Sequence, residues 1–213
     1  MSTQRIVIVG AGQAGFEVAA GLRKAGCEDD IHLIGDEPGA PYRRPPLSKA
    51  YLQDGESDRL LLRKTSFYAE KRIELLSGTR VIAIELERKR VHLADGTRRA
   101  FDQLVLATGA RNRELSLSGT DYPGVTTLRT LRHAESLRQR LYASTKVVII
   151  GGGDTGADCL GTSRRHGARS VHQFEIMPRP PADRADSTPW PTWPLQHRTS
   201  SAHEEGGDRE FAI

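Results

Sequence analysis

Residues 5–36 read RIVIVGAGQAGFEVAAGLRKAGCEDDIHLIGD, a stretch that predicts a strand, a turn, a helix and a second strand. Its first five residues are rich in β-branched types, which predicts a buried strand. The glycine-rich turn GAGQAG follows, and a helix is predicted from there to about Ala25, with Gly26 suited to its C-terminal cap. Residues 31–34 predict the next strand. This order is that of a βαβ unit, which predicts an α/β protein built on a parallel sheet.

The glycines of this turn, Gly10, Gly12 and Gly15, have the G-x-G-x-x-G spacing of a dinucleotide site. Gly10 permits a tight turn, Gly12 lets the backbone approach a diphosphate, and Gly15 lets helix and strand pack closely. The N–H groups of the helix N-terminus attract the anion. Asp36, just after the second strand, is placed to accept hydrogen bonds from ribose hydroxyls. This context favours a dinucleotide site over a structural glycine turn.

The middle of the chain predicts a stiff loop followed by strands. Residues 38–48, PGAPYRRPPLS, have too many prolines for a helix or a central strand, and Ser48 is a suitable N-cap for a short helix that carries Lys49. Strand patterns between residues 73 and 93 predict an antiparallel excursion, because no helix-length crossover lies between Leu86 and Val91. Residues 104–107 predict a return to a buried strand, and residues 131–141 predict a helix.

A second strand–turn–helix unit is predicted from Lys146 onward. Its turn, GGGDTG, repeats the glycine spacing, and the residues predicted to bind a second dinucleotide are Gly151, Gly153, Asp154, Thr155 and Gly156. The helix is predicted to about His166, and residues 170–175 predict the next strand. Two such units predict two nucleotide sites, one per domain.

The cofactor at the second site is left open between NADH and NADPH. Glu175 closes the predicted strand, where an acid favours NADH through the ribose 2′-hydroxyl. Arg164, Arg165 and Arg179 are near in sequence and are suited to a 2′-phosphate, although a solvated arginine pair explains Arg164 and Arg165 equally well.

Composition excludes several classes of protein. The net charge of +4 is spread along 213 residues, which does not indicate a nucleic-acid binder. No apolar run reaches the roughly 20 residues of a membrane helix, and the first residues lack the features of a secretory signal, so we expect a cytoplasmic protein. The two cysteines do not form a redox pair, and no histidine spacing indicates a metal site.

Four stretches before residue 143 carry a family resemblance: VIVGAGQAGFEVAAGLR, IGDEPGAPYRRPPLSKAYL, LVLATGA and LRTLRHAESLR. Residues 5–142 resemble the FAD domain of the ferredoxin reductases that serve oxygenases, of the putidaredoxin reductase and biphenyl dioxygenase reductase type. Residues 146–213, which contain VVIIGGGDTGADCLGTSRRHGARSVHQFEIMPRPP and RTSSAHEEGGDREF, are instead similar to the NADPH-binding half of the glutamate synthase small subunit. The chain therefore looks like a chimera joined near residues 143–146.

This resemblance implies an α/β, Rossmann-like FAD/NAD(P)-binding fold of the two-dinucleotide-binding-domain flavoprotein type, with the second domain incomplete. We expect an FAD-binding domain over residues 1–115, part of an NAD(P)-binding domain over 116–176, and a proline-rich loop or disordered tail over 177–213. Both families continue beyond the stretch matched here, so the chain is expected to be truncated and its FAD site to lack a wall.

The resemblance also implies roles for individual residues. The first glycine turn would hold the FAD pyrophosphate, Ala14 and Val81 would line the adenine side by backbone contacts, and Arg129 would meet the flavin or its phosphates. Lys49 would lie beside flavin N5, where positive charge stabilises the reduced flavin. In the family a glutamate pairs with this lysine, and the aligned residue here is Asp158, one methylene shorter. Further cofactor contacts are expected from Arg44, Pro46, Ala107, Thr108 and Gly109.

The function implied is that of an FAD-dependent NAD(P)H oxidoreductase of the ferredoxin–NAD(P)+ reductase type. It would pass hydride from nicotinamide to flavin and then electrons to an iron–sulfur protein such as a ferredoxin. The alternatives are a non-catalytic FAD- or dinucleotide-binding module and a truncated product without stable activity. Without the resemblance, Lys49 reads as a solvated lysine and Asp158 as a surface or capping acid.

Overall fold

The structure, a computed structural model, describes residues 3–143, 146–151, 153–192 and 194–212. They divide into two compact units, one made of Met1–Arg43 and Ser57–Leu117 and the other of Arg44–Glu56 and Ser118–Ile213. Within the described residues, no helix is both long enough and apolar enough to span a bilayer. The regular elements are, in chain order, β1 (Arg5–Val9), α1 (Gln13–Lys24), β2 (Asp30–Ile34), α2 (Ala50–Asp54), α3 (Thr65–Glu70), β3 (Ile73–Leu76), β4 (Val81–Glu85), β5 (Arg90–Leu93), β6 (Arg98–Ala100), β7 (Gln103–Leu106), α4 (Leu131–Ala143), β8 (Lys146–Ile150), α5 (Asp154–Arg165), β9 (Ser170–Pro178), α6 (Ser201–Glu204) and β10 (Asp208–Ala212).

The first unit is built on a four-stranded sheet in the order β3-β2-β1-β7. All of its pairings are parallel, and β1 is central, with Ile8 opposite both Leu33 and Val105. One face of the sheet packs against α1 and α3 through a core that contains Phe16 and Tyr68. Strand β1 carries the continuous apolar run expected of a buried parallel strand, and β2 does so except at the buried His32.

The other face of this sheet is covered by a three-stranded antiparallel sheet in the order β4-β5-β6. Val91, Leu93 and Phe101 pack there against residues of β1 and β2. The sequence analysis predicted that residues 73–93 form an antiparallel excursion. This is wrong for β3, which pairs in parallel with β2, whereas β4 and β5 are antiparallel. The chain between β2 and β3 is long enough to cross over the sheet, and this makes a parallel return possible.

The second unit contains a three-stranded parallel sheet in the order β10-β9-β8. Helix α5 covers one face through Leu160, which is fully buried and packs against Val171 and Val147. The opposite face presents Val148 and Ile150 of β8 to solvent, with relative exposures of 62% and 47%. Phe174 is opposite Ile150 in the register and shares this face.

The C-terminal residues differ from the expected loop or disordered tail. Strand β9 continues to Pro178, α6 spans Ser201–Glu204, and β10 pairs in parallel with β9. Little in the sequence signals β10, because the strand is short and its residues, DREFA, do not alternate between polar and apolar types. Its pairing joins residues more than thirty positions apart, which local patterns do not encode.

The segment 44–56 groups with the second unit, although the sequence analysis placed it in the first domain. Pro45–Ser48 forms a 3₁₀ turn, and α2 begins after Lys49, so Ser48 is not the helix cap that was predicted. Helix α4 packs against α2, and its Ala134 and Leu141 are buried. Ser144 and Thr145, at the predicted join, lie outside the described residues.

Candidate functional site

The first glycine turn has the backbone geometry that its spacing predicts. Gly10 has a φ of +112°, and a Cβ there would lie 2.1 Å from the carbonyl oxygen of Ala107. A Cβ on Gly15 would lie 1.9 Å from the carbonyl oxygen of Gly10. Both positions require glycine, because any side chain would overlap the backbone at the point where β1, β7 and α1 meet.

Gly12 differs from these two glycines in having free space around it. A Cβ built there meets no atom of the described residues within 4 Å, and Gly12 is the extended N-cap of α1 with no side chain capping the helix. The first backbone N–H groups of α1 therefore face an open space that a side chain would narrow. This cradle fits a diphosphate, since helix N-termini attract anions and absent side chains allow close approach.

Other predicted residues of the first site lie around this edge of the sheet. Ala14 is the second residue of α1, Asp36 follows β2, and both are exposed. Ala107, Thr108 and Gly109 follow the end of β7, which neighbours β1 in the sheet. Carboxyl ends of parallel strands form the usual ligand-binding edge of such sheets.

Val81 lies outside this edge. It begins β4 and packs, partly buried, against the hydrophobic cluster between the two sheets. A contact from Val81 to a ligand would therefore have to come from its backbone.

The second glycine turn repeats the geometry of the first. Gly151 has a φ of +126°, and a Cβ on Gly156 would lie 2.1 Å from its carbonyl oxygen. Gly153 is the extended N-cap of α5, again without a capping side chain, and a Cβ built on it meets no described atom within 4 Å. Each unit therefore contains a glycine turn of the same backbone design, with open space at its middle glycine.

A cavity of about 340 Å³ lies within the second unit beside this turn. Three segments line it: the 3₁₀ turn and Lys49, the loop before α4, and the first turns of α5. The lining residues are Arg44, Pro45, Leu47, Ser48, Lys49, Leu128, Arg129, Asp154, Thr155 and Asp158. Of the residues predicted to contact a cofactor, this cavity brings together Arg44, Lys49, Arg129, Asp154, Thr155 and Asp158, and it contains Pro45 rather than the predicted Pro46.

Lys49 and Asp158 form an ion pair at the edge of this cavity. Lys49 Nζ lies 3.7 Å from Asp158 Oδ2, and the side chains are 56% and 22% exposed. The same carboxylate oxygen accepts a hydrogen bond of 3.1 Å from the hydroxyl of Ser48, a buried residue. The lysine ammonium therefore stays in contact with water while Asp158 is held from two sides.

Ser48 is a site residue that the sequence analysis did not identify. Its place next to Lys49 in the PPLSK stretch was the only signal in the sequence, and a helix-capping role explained it there. Arg44 makes a second unforeseen link, since its guanidinium donates a hydrogen bond of 2.8 Å to the carbonyl oxygen of Arg129. These contacts join residues that are 85 and 110 positions apart.

The residues considered for cofactor choice at the second site are mostly engaged within the fold. Glu175 is nearly buried and forms an ion pair with Arg209 of β10. Arg164 donates to the carbonyl oxygens of Ala168 and Arg169 at the end of α5, and Arg165 pairs with Glu205. Arg179 is exposed, with its guanidinium 5.9 Å from the centre of the Phe211 ring.

Comparisons with known proteins agree with this geometry. The model of the pyridine nucleotide-disulphide oxidoreductase family matches residues 4–188. Rhodocoxin reductase from Rhodococcus erythropolis is 43% identical over 95% of this chain and 46% of its own length. The glutamate synthase [NADPH] small chain of Mycobacterium tuberculosis is 39% identical over all of this chain and 44% of its own length.

Among solved structures, the ferredoxin reductase for the CYP199A2 system from Rhodopseudomonas palustris matches with a TM-score of 0.84 and 38% identity. The match covers 98% of this chain and 50% of that protein. The predicted resemblance to two kinds of flavoprotein and the Rossmann-like fold are confirmed, and the chain spans about half the length of the curated relatives it matches. The chain belongs to the pyridine nucleotide-disulphide oxidoreductase family.

Proposed function

We propose that this chain binds FAD and NAD(P)H and performs the NAD(P)H-oxidising part of a ferredoxin-reductase reaction. The observation that carries the proposal is the cavity of the second unit, which brings the Lys49–Asp158 pair beside the N-terminus of α5. A general feature of flavin chemistry supports it, because flavoenzymes place fixed charges next to the isoalloxazine ring, which is reduced and reoxidised during the reaction.

The first glycine turn is the proposed FAD diphosphate site. Its support is the open cradle at Gly12, together with the uncapped N-terminus of α1. Asp36, exposed after β2, is the proposed partner of the ribose hydroxyls. FAD, when bound, supplies the ability to accept a hydride and to release electrons one at a time.

Lys49 is proposed to supply positive charge to the cavity, and Asp158 to orient it. An ion pair with a side chain that is more than half exposed contributes little to stability. Its value is therefore positional: Asp158, held by Ser48, restricts the directions in which the ammonium can point. Arg44 and Arg129 line the same cavity and make its surroundings more favourable for an anionic group.

The second glycine turn is proposed to bind NAD(P)H through its diphosphate. Between the two cofactors, the contacts favour NADPH, because the Glu175 carboxylate is engaged by Arg209. Arg164 and Arg165 bind within the fold, which makes Arg179 the proposed contact of a 2′-phosphate. The name of the glutamate synthase relative, which specifies NADPH, points the same way.

The proposed electron acceptor is an iron–sulfur protein of the ferredoxin type. Support comes from the matched relatives, which include a rhodocoxin reductase and a ferredoxin reductase. A one-electron acceptor of this kind suits a flavin, which takes up a hydride and gives back single electrons.

The test is an absorption spectrum of the purified chain after reconstitution with FAD, recorded before and after anaerobic addition of NADPH. A bound flavin band that bleaches with NADPH supports the proposal. A protein that stays colourless after reconstitution refutes the FAD site. A flavin band that NADPH does not bleach, with dinucleotide binding retained, supports the non-catalytic binding module instead.

A further inference from the structure

A buried glutamine connects the second glycine turn to the C-terminal segment. Gln173 lies on β9 with no exposed surface, and its amide nitrogen donates a hydrogen bond of 2.8 Å to the carbonyl oxygen of Gly151. Its amide oxygen lies 3.0 Å from Nε2 of His203, on α6. A buried amide is costly unless both of its ends are bonded, and here both are.

The first unit shows what this position looks like without such a connection. Leu33 stands opposite Ile8, two residues before Gly10, and Gln173 stands opposite Ile149, two residues before Gly151. A Cβ on Gly15 would approach the Leu33 side chain, and one on Gly156 would approach the Gln173 amide. An apolar residue therefore satisfies the packing at this position, and the glutamine serves a purpose beyond packing.

The contacts around His203 define its tautomer. The backbone N–H of Ser200 donates to Nδ1 at 3.1 Å, so Nδ1 is the acceptor and Nε2 carries the proton. The donors then run in one direction, from Ser200 to His203, from His203 to Gln173, and from Gln173 to Gly151. We call these three side-chain and backbone contacts the His203 relay.

We propose that the His203 relay positions the second glycine turn for dinucleotide binding, and that neutral His203 is required for it. This inference rests on the proposed function of that turn. The Gly151 peptide is a sensitive point, because Gly156 packs so closely on its carbonyl oxygen that a small rotation would alter the cradle. Protonation at Nδ1 would set its N–H against the backbone N–H of Ser200, and the Ser200 hydroxyl oxygen, 3.0 Å away, would be the acceptor left at that end. The ring would have to turn toward this oxygen, which takes Nε2 out of line with the Gln173 amide oxygen and releases the relay.

The surroundings of His203 favour the neutral form. Burial lowers the pKa of His203, and Arg209 on β10 and His197 in the preceding loop lower it further, while Glu175 on β9 opposes them. On α5, Arg165 pairs with Glu205. The relay is therefore intact at neutral pH and is lost as the pH falls through the lowered pKa.

The test is calorimetric binding of NAD+ to the full 213-residue chain at pH 7.5 and pH 5.5. NAD+ is the probe because it lacks the 2′-phosphate of NADP+, a monoester that changes charge in this pH range. We expect His203→Ala to weaken NAD+ binding about tenfold at pH 7.5, because it removes the hydrogen bond to Gln173 that holds the turn in its binding geometry, and one hydrogen bond corresponds to about this change in affinity. Glu204→Ala, an exposed neighbour on the same helix, is the control and should bind as the wild type does.

His203→Gln is the decisive variant, because its amide can donate to Gln173 but does not titrate. It should bind NAD+ at pH 7.5 within about threefold of the wild type, and, unlike the wild type, keep that affinity at pH 5.5. The Gln173 side-chain amide protons in ¹H–¹⁵N spectra give a readout without ligand: they should shift in His203→Ala and, in the wild type, on acidification.

The outcomes separate the two ideas. Failure of the wild type to bind NAD+ or NADP+ at pH 7.5 refutes the proposed function of the second turn. Binding that is equal in the wild type and a folded His203→Ala refutes the relay alone. Equal pH dependence in the wild type and His203→Gln also refutes it, and this comparison holds even if His203→Ala does not fold.

Discussion

Substituting alanine for Gly12 and, in a second variant, for Gly15 should separate ligand binding from folding. Gly12→Ala adds a methyl group to open space at an N-cap with φ −89°, a conformation open to alanine. We expect the free energy of unfolding without FAD to fall by less than about 1 kcal/mol, the usual difference between residues at an N-cap. FAD affinity should fall about 100-fold, because the methyl group keeps the diphosphate from two or so charge-assisted hydrogen bonds.

Gly15→Ala is the matched comparison. Its methyl carbon would lie 1.9 Å from the carbonyl oxygen of Gly10, well inside the normal contact distance. Forced overlap of this kind costs about 3 kcal/mol when backbone has to move. This variant should therefore lose stability even without a ligand.

Urea denaturation of the FAD-free chain and quenching of flavin fluorescence on titration measure the two quantities. The reasoning is refuted if Gly12→Ala binds FAD as tightly as the wild type does. It is also refuted if Gly12→Ala is destabilised as strongly as Gly15→Ala, because the space at Gly12 would then be needed by the fold and not by a ligand.

Three further results are expected. Ser48→Ala should slow NADPH-driven flavin reduction about threefold to tenfold, and adding Asp158→Glu should restore the rate, because the longer carboxylate reaches Lys49 without the hydroxyl. Stopped-flow absorbance measures both rates, and no recovery in the double variant would contradict the positioning role of Ser48. The free energy of unfolding, measured in urea, should fall as the pH is lowered from 7.5 to 5.5, because burial is the main cause that lowers the pKa of His32, His166 and His203 in the folded chain. The unfolded chain then binds more protons below about pH 6.5, and each histidine can remove up to about 1.4 kcal/mol of stability per unit of pKa lowering. Unchanged stability would exclude this linkage. Burial, with a smaller contribution from Asp158, raises the pKa of the Cys159 thiol to about 12, so iodoacetamide at pH 8 should leave this residue unmodified in the native chain and alkylate it in urea, as peptide mass spectrometry would report.

Local sequence patterns were sufficient to predict the elements whose structure depends mainly on residues close together in the chain. The strands and helices around both glycine turns lie within a few residues of their predicted places, because glycine spacing and apolar runs act over short stretches. Strand β6 and the C-terminal elements were missed, since a short edge strand is selected by its partner and not by its own composition.

The candidate site shows the same division. The glycines at the ends of each turn could be predicted one by one, because Gly10, Gly15, Gly151 and Gly156 each meet a demand of the local backbone. The bond from Ser48 to Asp158 and the pairing of Glu175 with Arg209 could not, because they arise only when distant parts of the chain are folded together. In the sequence, Glu175 is a candidate to bind a ribose hydroxyl, whereas in the structure its carboxylate forms an ion pair with Arg209.

The uncovered face of the β8–β9 sheet affects how the chain behaves at high concentration. Val148, Ile150 and Phe174 are exposed apolar residues on this face, and the register puts His172, Asp208 and Glu210 on the same face, with Asp208 3.4 Å from the His172 ring. Like-charged carboxylates on approaching molecules repel each other at low ionic strength, and salt screens that repulsion. Added salt should therefore promote self-association, and dilute buffers should keep preparations monodisperse.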